Sequence, residues 1–431
     1  MSNLNLIRVS NNLCHFSSDG TLVASCYNNK LTVRNTVTFE QFHTYTCIDV
    51  IKYFEWSPDN RYILCALYQH STVQVFSLRN HDWKCKIRDA AYGIVKVCWS
   101  PDSRHILTTA EFHISICIWS LVLHSVKYID CLKEISSQSL AFTSDGTSLA
   151  VVGDQGSVDT IFIYSTTSWL LKKQIPCVGP DKIGGITWTR DNTAVCVWGT
   201  SLDKCWVRVY EVASGDLIGD CLPPSEERIC GIKTVTWAPS GQFLTLACFD
   251  EKIRMLNHIT WQPIAELAHS DVLLETDCTV YQETNARSQT DKISFQIISG
   301  RPVVISSVRE GLHNPSSLMG IGLSVFSRCG HYLATRADRM PAAVWIWNMN
   351  ILRISSLIVH KKPVTAIEWD PIEPRLAIVC GSNSLTLWSK EGVTTHMFDQ
   401  ICISDIRWHP TGEYLVLCAN TKVMFMSRNL L

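Results

Sequence analysis

The side chains with the greatest chemical reach in this chain are its 19 Cys and 14 His. Thiolates and imidazoles can hold zinc or carry out nucleophilic chemistry, and both tasks require recognisable spacing. No Cys-x-x-Cys pair occurs, and no Cys/His grouping matches zinc-finger spacing. Gly320-Ile321-Gly322 lacks the third glycine of a dinucleotide loop and leads into a strand pattern rather than a helix, so it is read as the start of a strand. Gly-x-x-x-x-Gly-Lys, His-Glu-x-x-His and Gly-x-Ser-x-Gly are all missing. Glu111 with His113, and Asp203 near Cys205, fall in turns between strand patterns, where solvated polar residues belong. The sequence therefore predicts no catalytic residue, no cofactor-binding residue and no metal site. It predicts a chain that is not an enzyme.

The cysteines mark something else. Cys26, Cys65, Cys196, Cys248, Cys380 and Cys418 each follow an aromatic residue by about ten positions, a recurrence expected of small buried strand residues. The pattern behind them is an aromatic anchor, a turn rich in Ser, Pro, Asp and Gly, an apolar strand, a polar turn and an alternating strand. Phe54-Glu55-Trp56, Ser57-Pro58-Asp59-Asn60, Tyr62 to Leu67 and Thr72 to Phe76 show it whole. The anchors are Phe16, Trp56, Trp99, Phe142, Trp188, Trp237, Phe326, Trp369 and Trp408, spaced 39 to 49 residues apart except for 89 between Trp237 and Phe326. That period is the one a four-stranded propeller blade requires. Blade cores are placed near 13–36, 53–77, 96–120, 139–165, 185–211, 234–257, 323–348, 366–389 and 405–427. The second strand of each is almost wholly apolar, as a strand covered on both faces must be.

The expected fold is all-β, a single nine-bladed β-propeller ring. The last repeat stops after its third strand, Lys422 to Met426, and the strand pattern Leu4 to Val9 is placed to complete it. The long gap is read as an insertion, 270–318, carrying a hairpin of Ile293 to Ile297 with Val303 to Val308; partner binding and plain decoration weigh about evenly for it, and propeller faces and blade sides stand beside it as binding surfaces. Trp83, Trp169 and Trp261, at the start of fourth strands, are read as packing residues rather than interface anchors.

Lys and Arg number 38 against 39 Asp and Glu, so no global field draws in nucleic acid or anionic lipid, and partners must be held by local surfaces. Met1 to Asn12 lacks the apolar run of a signal peptide, and no run of eighteen apolar residues suits a membrane span. Neither nucleic acid nor membrane is an expected partner, and the cysteines suit a reducing compartment.

The repeat resembles the WD-repeat superfamily over essentially the whole chain. The closing Trp-Asp dipeptide is replaced by Trp119-Ser120, Tyr164-Ser165, Tyr210-Glu211, Trp347-Asn348 and Trp388-Ser389, and the Gly-His dipeptide is missing, with His360 its nearest relic. Longer stretches outside the generic repeat are similar to the WD repeat-containing protein 8 family: Tyr45-Thr46-Cys47-Ile48-Asp49, Ile63 to Tyr68, Trp99 to Leu107 with Glu111-Phe112-His113, Leu256 to Trp261, and Ala334-Thr335-Arg336 leading to Pro341 to Trp347. The resemblance implies a scaffold at the spindle pole body or centrosome, in the cytoplasm and cytoskeleton. It would act with a coiled-coil microtubule-anchoring protein and a minus-end-directed kinesin, tethering microtubule minus ends and reaching microtubules indirectly. The alternative is a translation-factor-like propeller binding ribosome or RNA, which requires a basic face that the balanced charge does not suggest.

Overall fold

A computed structural model describes every residue except 1–5, 90–92, 110–114, 131–137, 156–157, 178, 180–181, 200–201, 203, 223–229, 285–292, 309–318 and 431. Glu111, His113 and Asp203 thus lie outside the described residues, as do parts of the 270–318 insertion. By its internal contacts the chain divides into two compact units. Val9–Ser201 with Trp206–Leu222 holds five blades, and Met1–Arg8, Leu202–Cys205 and Pro223–Leu431 hold four. The fold is all-β, with nine propeller blades. No helix among the described residues is long and apolar enough to cross a membrane.

The second blade shows the construction. Tyr53–Trp56, Tyr62–Leu67, Thr72–Ser77 and Lys84–Arg88 pair in order as an antiparallel sheet. Its second and third strands are buried on both faces. Leu64, Ala66, Val73 and Val75 pack with Val97, Trp99 and Ile106 of the third blade. Ile63, Cys65 and Leu67, pointing the other way, pack with Ala24, Leu31 and Phe54. The same division recurs at Leu376 and Ile378 against Ala377 and Val379. A strand with two covered faces cannot alternate apolar with polar, which is why these runs are continuously apolar.

The turn after each anchor is set by backbone chemistry. In eight blades the residue four places beyond the anchor has positive φ: Gly20, Asn60, Ser103, Gly146, Asn192, Gly241, Gly330 and Gly412. Gly146 is doubly constrained, since an added Cβ would lie 2.7 Å from Cβ of Pro101 in the preceding blade. In the second blade the Ser57 hydroxyl donates to Asp59 at 2.7 Å and accepts the Tyr62 N–H at 2.9 Å. The eighth blade departs from this. Its turn is one residue longer, and the Asp370 carboxylate instead accepts the Ile372 N–H at 2.8 Å and pairs with Arg375 at 2.8 Å.

A second positive-φ residue, Phe39, Trp169, Gly215, Trp261 or Leu352, sits in the turn before the fourth strand, and a register shift follows it in each of those blades. Trp169 and Trp261 are accordingly buried, and the Trp83 ring lies tilted against the Tyr62 ring with centroids 5.1 Å apart. These rings pack within the fold, as expected, Trp261 against Trp237 of its own blade and Trp169 against His105 of the preceding one.

Leu6–Arg8 pairs antiparallel with the third strand of the ninth blade, Leu6 opposite Met424 and Arg8 opposite Lys422, and so supplies its fourth strand. The insertion pairs differently from expectation. Phe295–Ile298 is antiparallel to Thr279–Glu283, not to Val303 and its neighbours. Val303–Val304 pairs with Val272–Leu273. Thr279–Glu283 then adds in parallel to Arg353–Val359, the outer strand of the seventh blade, extending that sheet to six strands. The physical reason is a non-local one. The open edge of Arg353–Val359 offers a ladder of backbone partners, and Val280 and Ile305 gain burial beside Trp345 and Leu357 that a free-standing hairpin lacks.

Candidate interaction surface

All nine anchors end the first strands of their blades. Trp56, Trp99, Trp188, Trp369 and Trp408 are buried, and Phe16, Phe142, Trp237 and Phe326 are half-buried. Four indoles do more than fill space. Nε1 of Trp56, Trp99, Trp188 and Trp369 donates to the carbonyl of His15, Glu55, Ala141 and Val325 respectively, at 2.9 to 3.2 Å. Each acceptor immediately precedes the anchor of the blade before. These four anchors are therefore structural ties between neighbouring blades.

Two carboxyls occupy that same pre-anchor position. Glu368 accepts the Trp408 backbone N–H at 2.9 Å, and Glu55 meets the Trp99 N–H in the same way. Burial pushes both carboxyls up to about 7, against the pull of those hydrogen bonds.

The polar network left in doubt by the missing Gly-His dipeptide exists in one blade through His269. Its Nε2 lies 2.6 Å from the Thr335 hydroxyl, which also accepts the Trp347 indole N–H at 2.8 Å. Burial holds this imidazole down to about 4, so it stays neutral. His360 is otherwise engaged, 3.6 Å from the Glu283 carboxylate that also accepts the Lys361 N–H.

The recurring cysteines behave as apolar side chains. Cys26, Cys65, Cys196, Cys248 and Cys418 are fully buried and Cys380 is half-buried. Burial raises the thiols of Cys26, Cys65 and Cys196, and pushes Cys380 up to about 12. Among the described residues no group of three or more His, Cys, Asp or Glu could hold a metal ion.

The candidate surface is the extension of the seventh blade. Cys278, Val280, Leu273 and Ile305 seat it in the core. The Arg301 guanidinium binds three carbonyls at 2.7 to 2.9 Å, those of Glu275, Cys278 and Ile298, and fastens the turn. Among its exposed side chains are three large apolar ones: Ile297 is 57% exposed, Leu274 70% and Val304 73%. Its outermost strand, Phe295–Ile298, carries no charge, and among the described residues no strand pairs with its outer edge. Natural sheets usually blunt such edges with Lys or Pro, so an unguarded one points to strand addition or apolar docking. The sequence located the segment but not this edge, because the edge depends on which strand Thr279–Glu283 joins.

No family model matches the chain. It is 35% identical over 434 residues to the WD repeat-containing protein WRAP73 of Mus musculus, covering 95% of this chain and 92% of the mouse protein. An uncharacterized WD repeat-containing protein of Schizosaccharomyces pombe is 23% identical over 217 residues, 50% of this chain and 42% of that one. Two solved structures share the fold at 11% identity. The C-terminal WD40 domain of Sif2 gives a TM-score of 0.53 with 98% of this chain and 97% of that one covered, and a eukaryotic initiation factor gives 0.59 with 96% and 90%.

Proposed function

Because the chain belongs to the family of the WD repeat-containing protein WRAP73, a family of WD-repeat propellers and so of protein-interaction scaffolds, we propose that it serves as a scaffold at the spindle pole or centrosome. Within that family it is read as a member of the WD repeat-containing protein 8 group. Its partners are then a coiled-coil microtubule-anchoring protein and a minus-end-directed kinesin, and the assembly tethers spindle microtubule minus ends. The observation that carries the reading is the 35% identity along 92% of the mouse relative, which leaves little of either chain outside the match. The uncharged edge strand Phe295–Ile298 and the exposed Ile297 and Val304 supply a surface suited to the coiled-coil partner or the motor. Live imaging of the fluorescently tagged chain in dividing cells tests the location. Foci at both poles through mitosis are expected, and a diffuse or ribosome-associated signal overturns the proposal.

A further inference from the structure

The second, third and fourth blades end in the outer strands Lys84–Arg88, Val126–Asp130 and Leu171–Pro176. Together these carry six cations, Lys84, Lys86, Arg88, Lys127, Lys172 and Lys173, against a single carboxylate, Asp130. Among the described residues none of the six has an ion-pair partner. Three of them are held by neutral oxygens: Lys127 Nζ donates to the Ser168 carbonyl at 2.6 Å, Lys172 to the Ser148 hydroxyl at 2.9 Å, and Lys173 to the Ala213 carbonyl. Those bonds fix the ammonium groups in place without neutralising them. Lysine on an edge strand also guards against edge-to-edge pairing, but that service needs no pocket beside it.

A pocket is there. Between the third and fourth blades lies a slot of about 290 Å³, lined by His105, Ile118, Leu123, Lys127, Trp169 and Leu170. Leu123 and Leu170 at its rim are 75% and 65% exposed, while the Trp169 ring beneath is buried. A second hollow of about 330 Å³ adjoins it at His105 and Thr167 and brings in Arg104. Its one acid, Asp102, is already engaged, bonded to Nδ1 of His105 at 2.6 Å.

We propose that this slot and the cations around it form a docking site for an acidic protein segment. One large apolar side chain of the segment enters the slot, and flanking Asp or Glu side chains meet Lys127, Lys172 and Arg104. Charge complementarity selects the partner's sign, and the slot selects an apolar anchor between acids. Two copies cannot meet stripe to stripe, because the cations repel one another. Single-stranded nucleic acid fits less well, since binding it relies on successive stacking rings and the slot's rim is aliphatic, with Tyr128 the one exposed ring on the three outer strands. The site lies outside the seventh-blade extension, and its test does not depend on where the protein resides in the cell.

The test uses the full chain and a fluorescein-labelled synthetic peptide in which a Leu-Phe pair is flanked by Glu and Asp, read by fluorescence anisotropy. Saturable binding is expected. Replacing the peptide's acids by Gln and Asn, or its Leu-Phe by Ser-Ser, is expected to weaken it by about tenfold or more. So are the variants Lys127→Glu with Lys172→Glu and, independently, Leu123→Ser with Leu170→Ser. The second pair sits at exposed positions, so its fold is expected to survive, and an unchanged circular dichroism melt verifies this. Unchanged affinity in either folded variant overturns the proposal. So does tighter binding of a single-stranded RNA oligonucleotide, or of phosphatidylserine vesicles, than of the peptide.

Discussion

Cations are treated in opposite ways in two regions of the molecule. In the four-blade unit several are paired: Arg254, 2% exposed, meets the fully buried Asp250 carboxylate through two guanidinium nitrogens, Lys252 meets Glu266 at 3.0 Å, and Arg428 meets Glu373 at 2.9 Å. On the outer strands of the second to fourth blades, six cations have no ion-pair partner among the described residues. Charge inside the fold must be matched, because an uncompensated buried ion is costly. Charge left unmatched on the rim costs little and remains open to a partner. The near-zero net charge of the chain conceals this division.

The sharpest way to break the comparison is at its paired end. Asp250→Ala removes the fully buried partner of the Arg254 guanidinium, leaving it the more exposed Glu266 carboxylate at 3.5 Å, and is expected to cost about 3 kcal/mol, read as a lowered midpoint of urea unfolding. A loss below about 1 kcal/mol would show that the pair is not what holds that blade.

Next in size is a pH effect. Burial raises the carboxyls of Glu55 and Glu368 to about 7 from an ordinary value near 4.5. The folded state then holds their protons more tightly than the unfolded chain does. Their contribution is complete below the unfolded value and is lost as pH rises towards 7. Glu55→Gln with Glu368→Gln should therefore match the parent at about pH 4 and exceed it at about pH 8, by up to about 3 kcal/mol for each carboxyl. Identical pH profiles would remove the buried-acid account.

Smaller still is Trp369→Phe, which keeps a ring but deletes the donor to the Val325 carbonyl, at a cost of about 1 kcal/mol. Phe already stands at three other anchor positions, Phe16, Phe142 and Phe326. Smallest is Lys84→Gln with Lys86→Gln, on the unpaired rim. Stability is expected to change by less than about 0.5 kcal/mol, so a larger loss in thermal unfolding would assign those lysines a folding role.

The sequence reading reached furthest where information is local. Anchor, turn and apolar run lie within a few residues of one another, so the nine blades and the pairing of Leu6–Arg8 with the last blade were legible. It failed where a distant partner decides. Thr279–Glu283 has no anchor and no turn motif, and it becomes a strand only because Arg353–Val359, some seventy residues on, offers its edge. That parallel pairing re-partnered Phe295–Ile298 and Val303–Val304 as well. His269 was invisible as the heir of the missing Gly-His dipeptide, because its partners Thr335 and Trp347 lie more than sixty residues on, in the seventh blade. The charge stripe was hidden for a similar reason. Lys86, Lys127 and Lys172 are about 40 residues apart and are brought together only by stacking of their blades.

The central claim, that this WD-repeat chain gathers partners on built surfaces, is tested most directly by quantitative mass spectrometry of proteins captured from mitotic cells. The intact chain is compared there with a folded Ile297→Lys, Val304→Asp variant. The intact chain should bring down a coiled-coil anchoring protein and a minus-end-directed kinesin, and the variant should lose one or both. Recovery of neither partner by the intact chain, or an unchanged set with the variant, would contradict it.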